Sequence, residues 1–326
     1  MNSKDILTAA RDRLHVEELT PMQQSMAAVK APAVVLVAPT GSGKTLACAL
    51  PLLQRIEPGH GLQAAVIAPA RELVLQITKV FAALAPTLRI TAVYGGHPMI
   101  EETRSLEAAT PDIVVGTPGR LLDHIQRHTI NLSATRALLL DEYDKSLELG
   151  FESEMKRIVR SMRDIRFSIL TSATRIAEMP AFMQLKSPLV MDFSAESESA
   201  PKLDIHTVQS PEADKLATLT ALLESIPRER TMVFVNHRES AVRVHDHLVG
   251  KKLPAALYHG AMEQIDRETA IDLFTNGTSP ILVCTDLAAR GLDIPRVESV
   301  IHYHMPVSAD AWIHRCGRAG RMGASG

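Results

Sequence analysis

A chain of 326 residues, 46% apolar and 22% charged, has material for two cores, and with only 4% aromatic residues aliphatic side chains must fill them. The formal net charge of −2 argues against a polyanion-binding surface spread over the whole molecule and leaves a local basic groove open. Cys48, Cys284 and Cys316 lie far apart without CxxC or Cys/His ligand spacing, which argues against a zinc site or a disulfide framework and fits a reducing compartment.

The N-terminal stretch MNSKDILTAARDRLH is charged and lacks the apolar core of a signal peptide. No apolar run approaches the roughly 20 residues of a membrane span, so a cytoplasmic protein with no membrane contact is expected. The first strong strand signal is AVVLVA (33–38), and it runs into APTGSGKT (38–45) and then a helical stretch, LACALPLLQRI. This fits G-x-x-x-x-G-K-[ST] only loosely, because Ala38 stands in the first glycine position, but TGSGKT is intact. Gly41 and Gly43 let the backbone wrap phosphate, with Thr40 and Ser42 in the same loop. The helix start adds partial positive charge, Lys44 would reach the outer phosphates, and the Thr45 hydroxyl would sit on Mg2+.

Further apolar runs follow at AAVIAP (64–69), RITAVY (89–94), DIVVG (112–116), ALLLD (137–141) and FSILTS (167–172). Between them lie segments of helical spacing such as RELVLQITKVFAALA (71–85) and FESEMKRIVRSM (151–162). Strands alternating with helices predict βα units and a mostly parallel sheet covered on both faces. ALLLD ends in Asp141, followed by Glu142, Tyr143 and Asp144. A strand ending in water accounts for acids in general, but not for acids paired with a phosphate loop. In phosphate-loop proteins a second strand ends in an acid that holds Mg2+, which suits Asp141, and Glu142 could orient or deprotonate the attacking water.

Small polar and acidic residues then mark a linker, placed at 195–203, between domains spanning 1–194 and 204–326. The alternation resumes at TMVFVN (231–236), AALYH (255–259), PILVCTD (280–286) and VESVIHYH (297–304). The fold class is therefore α/β, in two domains. His259, His302 and His304 follow strands without a metal-like cluster and read as structural.

With these residues in place the chain resembles the DEAD-box RNA helicases over nearly its whole length. LTPMQQ (19–24) resembles the Q motif, PARELV (69–74) the family's PTRELA, Gly95 and Gly96 its GG element, and TPGR (117–120) is intact. DEYD stands where the family has DEAD, and SAT (172–174) follows. VFVNHR (233–238), QIDR (264–267), TDLAARGLDIP (285–295) and HRCGRAGR (314–321) resemble motif IV, QxxR, motif V and motif VI. The resemblance implies two RecA-like domains, each a mostly parallel sheet flanked by helices, acting as jaws on ATP and Mg2+.

It implies that Gln23 reads adenine and that Thr40, Gly41, Ser42, Gly43, Lys44 and Thr45 hold the phosphates. Asp293 would touch the ribose, Thr45 and Asp141 would hold the metal, and Glu142 would act on water. Arg318 and Arg321, three apart and on one face if helical, would neutralise the γ-phosphate. Asp144, Ser172, Thr174 and His314 would couple the acids to RNA, the alternative for the hydroxyls being to cap a turn. RNA would lie along Arg71, Gly96, Thr117, Gly119 and Arg120 in one domain and Arg238, Arg267 and Thr285 in the other, with sequence-tolerant, salt-sensitive affinity.

Three departures stand out. Tyr143 replaces the usual Ala, and its phenol needs room beside Ser172 and Thr174. No aromatic residue precedes Phe81, so an aliphatic residue such as Ile6 is expected to cover the base. The sequence given stops five residues after Arg321, where the family continues into a further strand, so a truncated or smaller second sheet is expected. An RNA-stimulated ATPase acting as a monomer is the expected activity. A DNA translocase and an ATP-binding RNA clamp with little hydrolysis are the competing readings.

Overall fold

The structure is a computed structural model that describes residues 3–39, 41–96, 98–108, 110–175, 180–183, 185, 187–194, 203–226, 230–286 and 297–319. The chain divides into two compact units, Met1–Ser197 and Glu198–Gly326. The first holds strands β1 (Ala33–Val37), β2 (Ala64–Ile67), β3 (Ile90–Val93), β4 (Ile113–Gly116), β5 (Ala137–Leu140), β6 (Phe167–Ser172) and β7 (Leu189–Asp192). Its helices are α1 (Ser3–Leu14), α2 (Pro21–Ala27), α3 (Lys44–Leu53), α4 (Arg71–Leu84), α5 (Met99–Ala108), α6 (Pro118–Gln126), α7 (Tyr143–Glu148) and α8 (Glu152–Ser161).

The seven strands form one parallel sheet in the order β3-β4-β2-β5-β6-β1-β7. Its central strands are fully buried, and their side chains alternate between two cores, as a period of two demands. Val34 and Leu36 join Leu139 and Ile169 under α1, α3 and α4, while Val35 and Val37 join Leu138 and Leu140 over α6 and α8. Register brings the carboxyl ends of β1, β5 and β6 level: Val37 faces Ser172, and Leu140 faces Leu170. The segments that follow these ends line the rim where open α/β sheets hold ligands.

The second unit contains β8 (Thr231–Val235), β9 (Ala255–Tyr258), β10 (Ile281–Thr285) and β11 (Ser299–His302), in the parallel order β11-β8-β10-β9. Helices α9 (Leu216–Ser225), α10 (Arg238–Gly250), α11 (Gln264–Thr275) and α12 (Ala309–Cys316) accompany it. Met232, Phe234 and Leu282 face one core, and Val233, Val235 and Val283 the other.

All ten strands expected from apolar runs are present, with ends shifted by no more than two residues. The eleventh, β7, was not expected. Leu189 and Val190 are exposed at the sheet edge, the strand is held by backbone pairing to β1, and its apolar run is only the three residues LVM. No helix among the described residues is long and apolar enough to cross a membrane.

Candidate functional site

The turn between β1 and α3 is built by two glycines in the left-handed region, Gly41 at φ 80° and Gly43 at φ 86°. At Gly43 space reinforces conformation, because a Cβ there would come within 2.6 Å of Gln23 Nε2. Gln23 is buried on the first turn of α2, where its Oε1 accepts the Thr20 N–H at 3.0 Å in a capping box. Its Nε2 donates to the Gly43 carbonyl at 3.4 Å. The sequence-predicted base reader is thus anchored to the phosphate loop.

Ile6, expected to cover a base, is instead fully buried in the first core. The amphipathic helix α1 turns it inward with Ala10, and its apolar surface is spent on packing.

Lys44 is buried, and its Nζ donates to the Ala38 and Pro39 carbonyls at 2.7 and 2.9 Å. Burial lowers its pKa, opposed by the charges of Glu142, Asp141 and Asp144. Ser42 Oγ donates to the Pro39 carbonyl at 2.8 Å, and Thr45 is half-buried on the first turn of α3. Thr40 lies outside the described residues.

Across the rim, Asp141 and Glu142 follow β5. One residue that sequence reading passed over, Thr171 on β6, ties them together. Its hydroxyl donates to Asp141 Oδ1 at 2.5 Å and accepts the Glu142 N–H at 2.9 Å. Asp141 is buried, and desolvation raises its pKa against the Thr171 bond and the Lys44 charge. Glu142 sits at φ 48°, ψ 54°, where a side chain is strained, at the start of α7. Carboxylates thus stand near Lys44 and a glycine cradle, oxygen groups suited to a hard cation and an ammonium suited to the phosphate that carries it. No group of three His, Cys, Asp or Glu able to hold a metal by itself occurs among the described residues.

Asp144 Oδ2 accepts the Ala173 N–H at 3.2 Å and lies 3.5 Å from Thr174 Oγ1, while its buried Oδ1 has no hydrogen-bond partner among the described residues. Ser172 Oγ donates to the Thr174 carbonyl at 2.6 Å and accepts the Thr174 N–H at 3.2 Å. The hydroxyl segment thus both reaches the acid, through Ala173 and Thr174, and closes a turn. Tyr143 finds its room in the second core, against the Phe182 ring at 6.5 Å. Burial, and after it Glu152, pushes its pKa up to about 12.

Arg71, Gly96, Thr117, Gly119 and Arg120 gather along the neighbouring part of the same rim, beyond β2, β3 and β4. The Arg71 guanidinium lies against Gly96, at φ 114°, so closely that a Cβ there would collide with it. Gly119 is exposed with open space above it. Arg120 Nε donates to Glu102 Oε2 at 2.6 Å.

In the second unit Arg238 opens α10, exposed and paired with Glu239 at 3.2 Å. Arg267 is buried, its Nη2 donating to Tyr258 Oη at 3.1 Å, and Thr285 ends β10 half-buried. His314 is buried in the last turn of α12. Arg318 is buried too and lies beyond α12, which ends at Cys316 with Gly317 as its cap. Asp293 and Arg321 lie outside the described residues.

Sequence reading gave no role to Arg315, which is 1% exposed and is the main polar link of this unit. It donates to both carboxylate oxygens of Asp286, at 2.5 and 2.6 Å, to the His304 carbonyl at 2.6 Å and to Asn236 Oδ1 at 2.8 Å. One guanidinium thereby joins the segments that follow β8, β10 and β11. The available signal was an arginine in HRCGRAGR together with an aspartate at the end of PILVCTD.

A family model described as DEAD/DEAH box helicase matches residues 20–181, and one described as Helicase conserved C-terminal domain matches residues 214–323. The ATP-dependent RNA helicase CshA of Limosilactobacillus reuteri is 34% identical over 329 residues, covering 99% of this chain and 66% of that protein. The DEAD-box ATP-dependent RNA helicase CshA of Bacillus subtilis is 33% identical over 331 residues, with 99% and 67% covered. DEAD-box ATP-dependent RNA helicase 9 of Oryza sativa is 34% identical over 329 residues, with 95% and 51% covered. The chain thus spans between half and two thirds of the length of these relatives. Among solved structures, S. cerevisiae Dbp5 bound to RNA and ADP BeF3 superposes with a TM-score of 0.83 at 25% identity, covering 99% of this chain and 85% of that one. Mss116p (NTE and C-tail double deletion) bound to ssRNA and AMP-PNP gives 0.86 at 26%, with 99% and 71% covered.

Proposed function

The chain belongs to the DEAD/DEAH box helicase family, and from that premise we propose that it is an ATP-dependent RNA helicase, coupling RNA-stimulated ATP hydrolysis to duplex unwinding or ribonucleoprotein remodelling. The observation that carries the proposal is the glycine cradle with buried Lys44 facing the Asp141–Glu142 pair across one sheet rim. Lys44 and the N–H groups of residues 40–45 bind the triphosphate. Lys44 exchanges two neutral carbonyl acceptors for anionic oxygens, which make stronger bonds. Gln23 selects adenine, with Asp293 on the ribose.

Asp141 and Thr45 hold Mg2+, which when bound neutralises charge on the phosphates. Glu142, its backbone fixed by Thr171, orients and deprotonates water. Arg318 and Arg321 bring positive charge from the second unit to the γ-phosphate, and His314 with Asp144, Ser172 and Thr174 links that event to RNA. Arg71, Gly96, Thr117, Gly119, Arg120, Arg238, Arg267 and Thr285 hold the sugar-phosphate backbone. The protein acts as a monomer in the cytoplasm.

ATP turnover by the purified chain, measured without nucleic acid, with single-stranded RNA and with DNA of the same sequence, tests the reading. It expects stimulation by RNA that is lost in Glu142→Gln. Equal stimulation by DNA points instead to a DNA translocase, and ATP binding with negligible turnover in every condition to an RNA clamp. RNA affinity must also fall as salt rises tenfold, and unchanged affinity contradicts a groove built on phosphate contacts.

A further inference from the structure

Glu102 on α5 belongs to no motif named above. It is 5% exposed, and its carboxylate is shared by three groups from two other segments, the end of β3 and helix α6. Oε1 accepts the N–H of Tyr94 at 2.9 Å, immediately before Gly95 and Gly96. Oε2 accepts Arg120 Nε at 2.6 Å and lies 2.7 Å from Nε2 of His124, which is itself fully buried. An ionised carboxylate only accepts, so the His124 Nε2–H donates, and Nδ1 of that ring rests 2.7 Å from Thr129 Oγ1. Burial opposes ionisation of Glu102, but the bonds from His124, Arg120 and Tyr94 prevail, and its pKa is lowered. A buried anion so completely engaged fixes the geometry of everything that donates to it.

We propose that Glu102 is a positioning residue for RNA binding, holding the approach to Gly95–Gly96 and the Arg120 side chain of the TPGR turn in one fixed relation. The inference rests on the RNA groove proposed above. Without the carboxylate, the Tyr94 N–H and the Arg120 guanidinium each lose an anchor. β3 and β4 are paired, with Val93 opposite Gly116, so the two loops leave the sheet side by side. Backbone pairing ends at that point, and Glu102 continues the link by side chain into the loops. It acts on RNA only through these neighbours.

The test compares wild type, Glu102→Ala, Glu102→Gln, Arg120→Ala and the Glu102→Ala/Arg120→Ala double variant in RNA titrations of ATP turnover. Glu102→Ala raises the KM for RNA about tenfold or more, the usual cost of losing charge-assisted hydrogen bonds, while kcat at saturating RNA changes by less than about twofold. Glu102→Gln, which keeps the volume and one acceptor oxygen, falls between. The double variant is no worse than the worse single variant, because both side chains serve one arrangement. Should the alanine variant melt early, the glutamine variant carries the same comparison.

A folded Glu102→Gln or Glu102→Ala with wild-type KM for RNA, while Arg120→Ala raises it, overturns the inference and leaves the groove standing. Fully additive losses in the double variant also overturn it. If wild type shows no RNA dependence, or Arg120→Ala changes nothing, the groove itself is misplaced at this turn, and the inference falls with it.

Discussion

Two buried cations, Lys44 in the first unit and Arg315 in the second, are held in opposite ways. In the first, Lys44 rests on two neutral backbone carbonyls, and the Gln23 amide reaches its loop acceptor only at 3.4 Å. These are contacts that an anion can displace. In the second, Arg315 donates to a carboxylate through two bonds, to the His304 carbonyl and to Asn236 Oδ1, and lies 3.4 Å from His302 Nδ1, so that its guanidinium is engaged all round. A buried cation with exchangeable partners is suited to binding, and one with a bidentate anionic partner is suited to cross-linking. The same burial thus leaves exchangeable contacts at Lys44 and a cross-link at Arg315.

Substitution at the two cations separates these roles most sharply. Lys44→Ala is expected to lower ATP turnover at least about 10²- to 10³-fold, the scale of losing one donor to developing charge. Its unfolding free energy should stay within about 1 kcal/mol of wild type, because a desolvated ammonium contributes little to the fold. Turnover assays paired with urea denaturation read both quantities, and a large loss of stability would place Lys44 with Arg315.

Arg315→Met should instead destabilise the second unit by about 2–4 kcal/mol, the lower part of this range reflecting the partial exposure of Asp286. Trp312, the only tryptophan of the chain, lies on α12 and reports that transition by fluorescence. Unchanged stability would break the comparison from this side.

Tyr143→Ala removes a buried ring from the second core of the first unit and should cost about 3 kcal/mol by the cavity it leaves, without removing a phosphate or acid contact. Its denaturation midpoint checks this, and a wild-type value would mean that the ring merely occupies space.

The smallest expected effect is a pH dependence in the second unit. His302 stacks on Trp312 at 4.6 Å, and burial, then Arg315, pushes its pKa down to about 4. An unfolded histidine titrates near 6.5. The fold therefore favours the neutral ring, and this contribution is complete above about pH 6.5 and is lost as pH falls from there to about 4. The ring is partly exposed, so the loss is on the order of 1–2 kcal/mol. His302→Phe keeps the stacking and should flatten that portion of the stability curve. A variant with the same slope as wild type would assign the dependence to another group.

How much of this was legible follows from where the information lies. Buried parallel strands announce themselves as unbroken runs such as AVVLV, and the phosphate loop as glycines ahead of a lysine, because both are local in sequence. β7 escaped because an exposed edge strand needs only backbone partners. Thr171 and Arg315 escaped because their partners stand 30, 29 and 79 residues away, distances that only register closes. The arginine spacing put two residues on one face only if helical, and α12 ends at Cys316, before Arg318, while Ile6 was assigned to a base when α1 needed it for the core. Local motifs thus pointed to candidate groups, while the side chains that hold them in place became visible only with the fold.

The function proposed above divides the labour, the first unit binding nucleotide and the second supplying the charge that turnover needs. Arg318→Ala tests it directly, by measuring both the affinity for a non-hydrolysable ATP analogue and RNA-stimulated turnover. Analogue affinity should stay within about threefold of wild type while turnover falls about 10³-fold or more, as for removal of an arginine finger. Turnover at the wild-type level in the folded variant would contradict it.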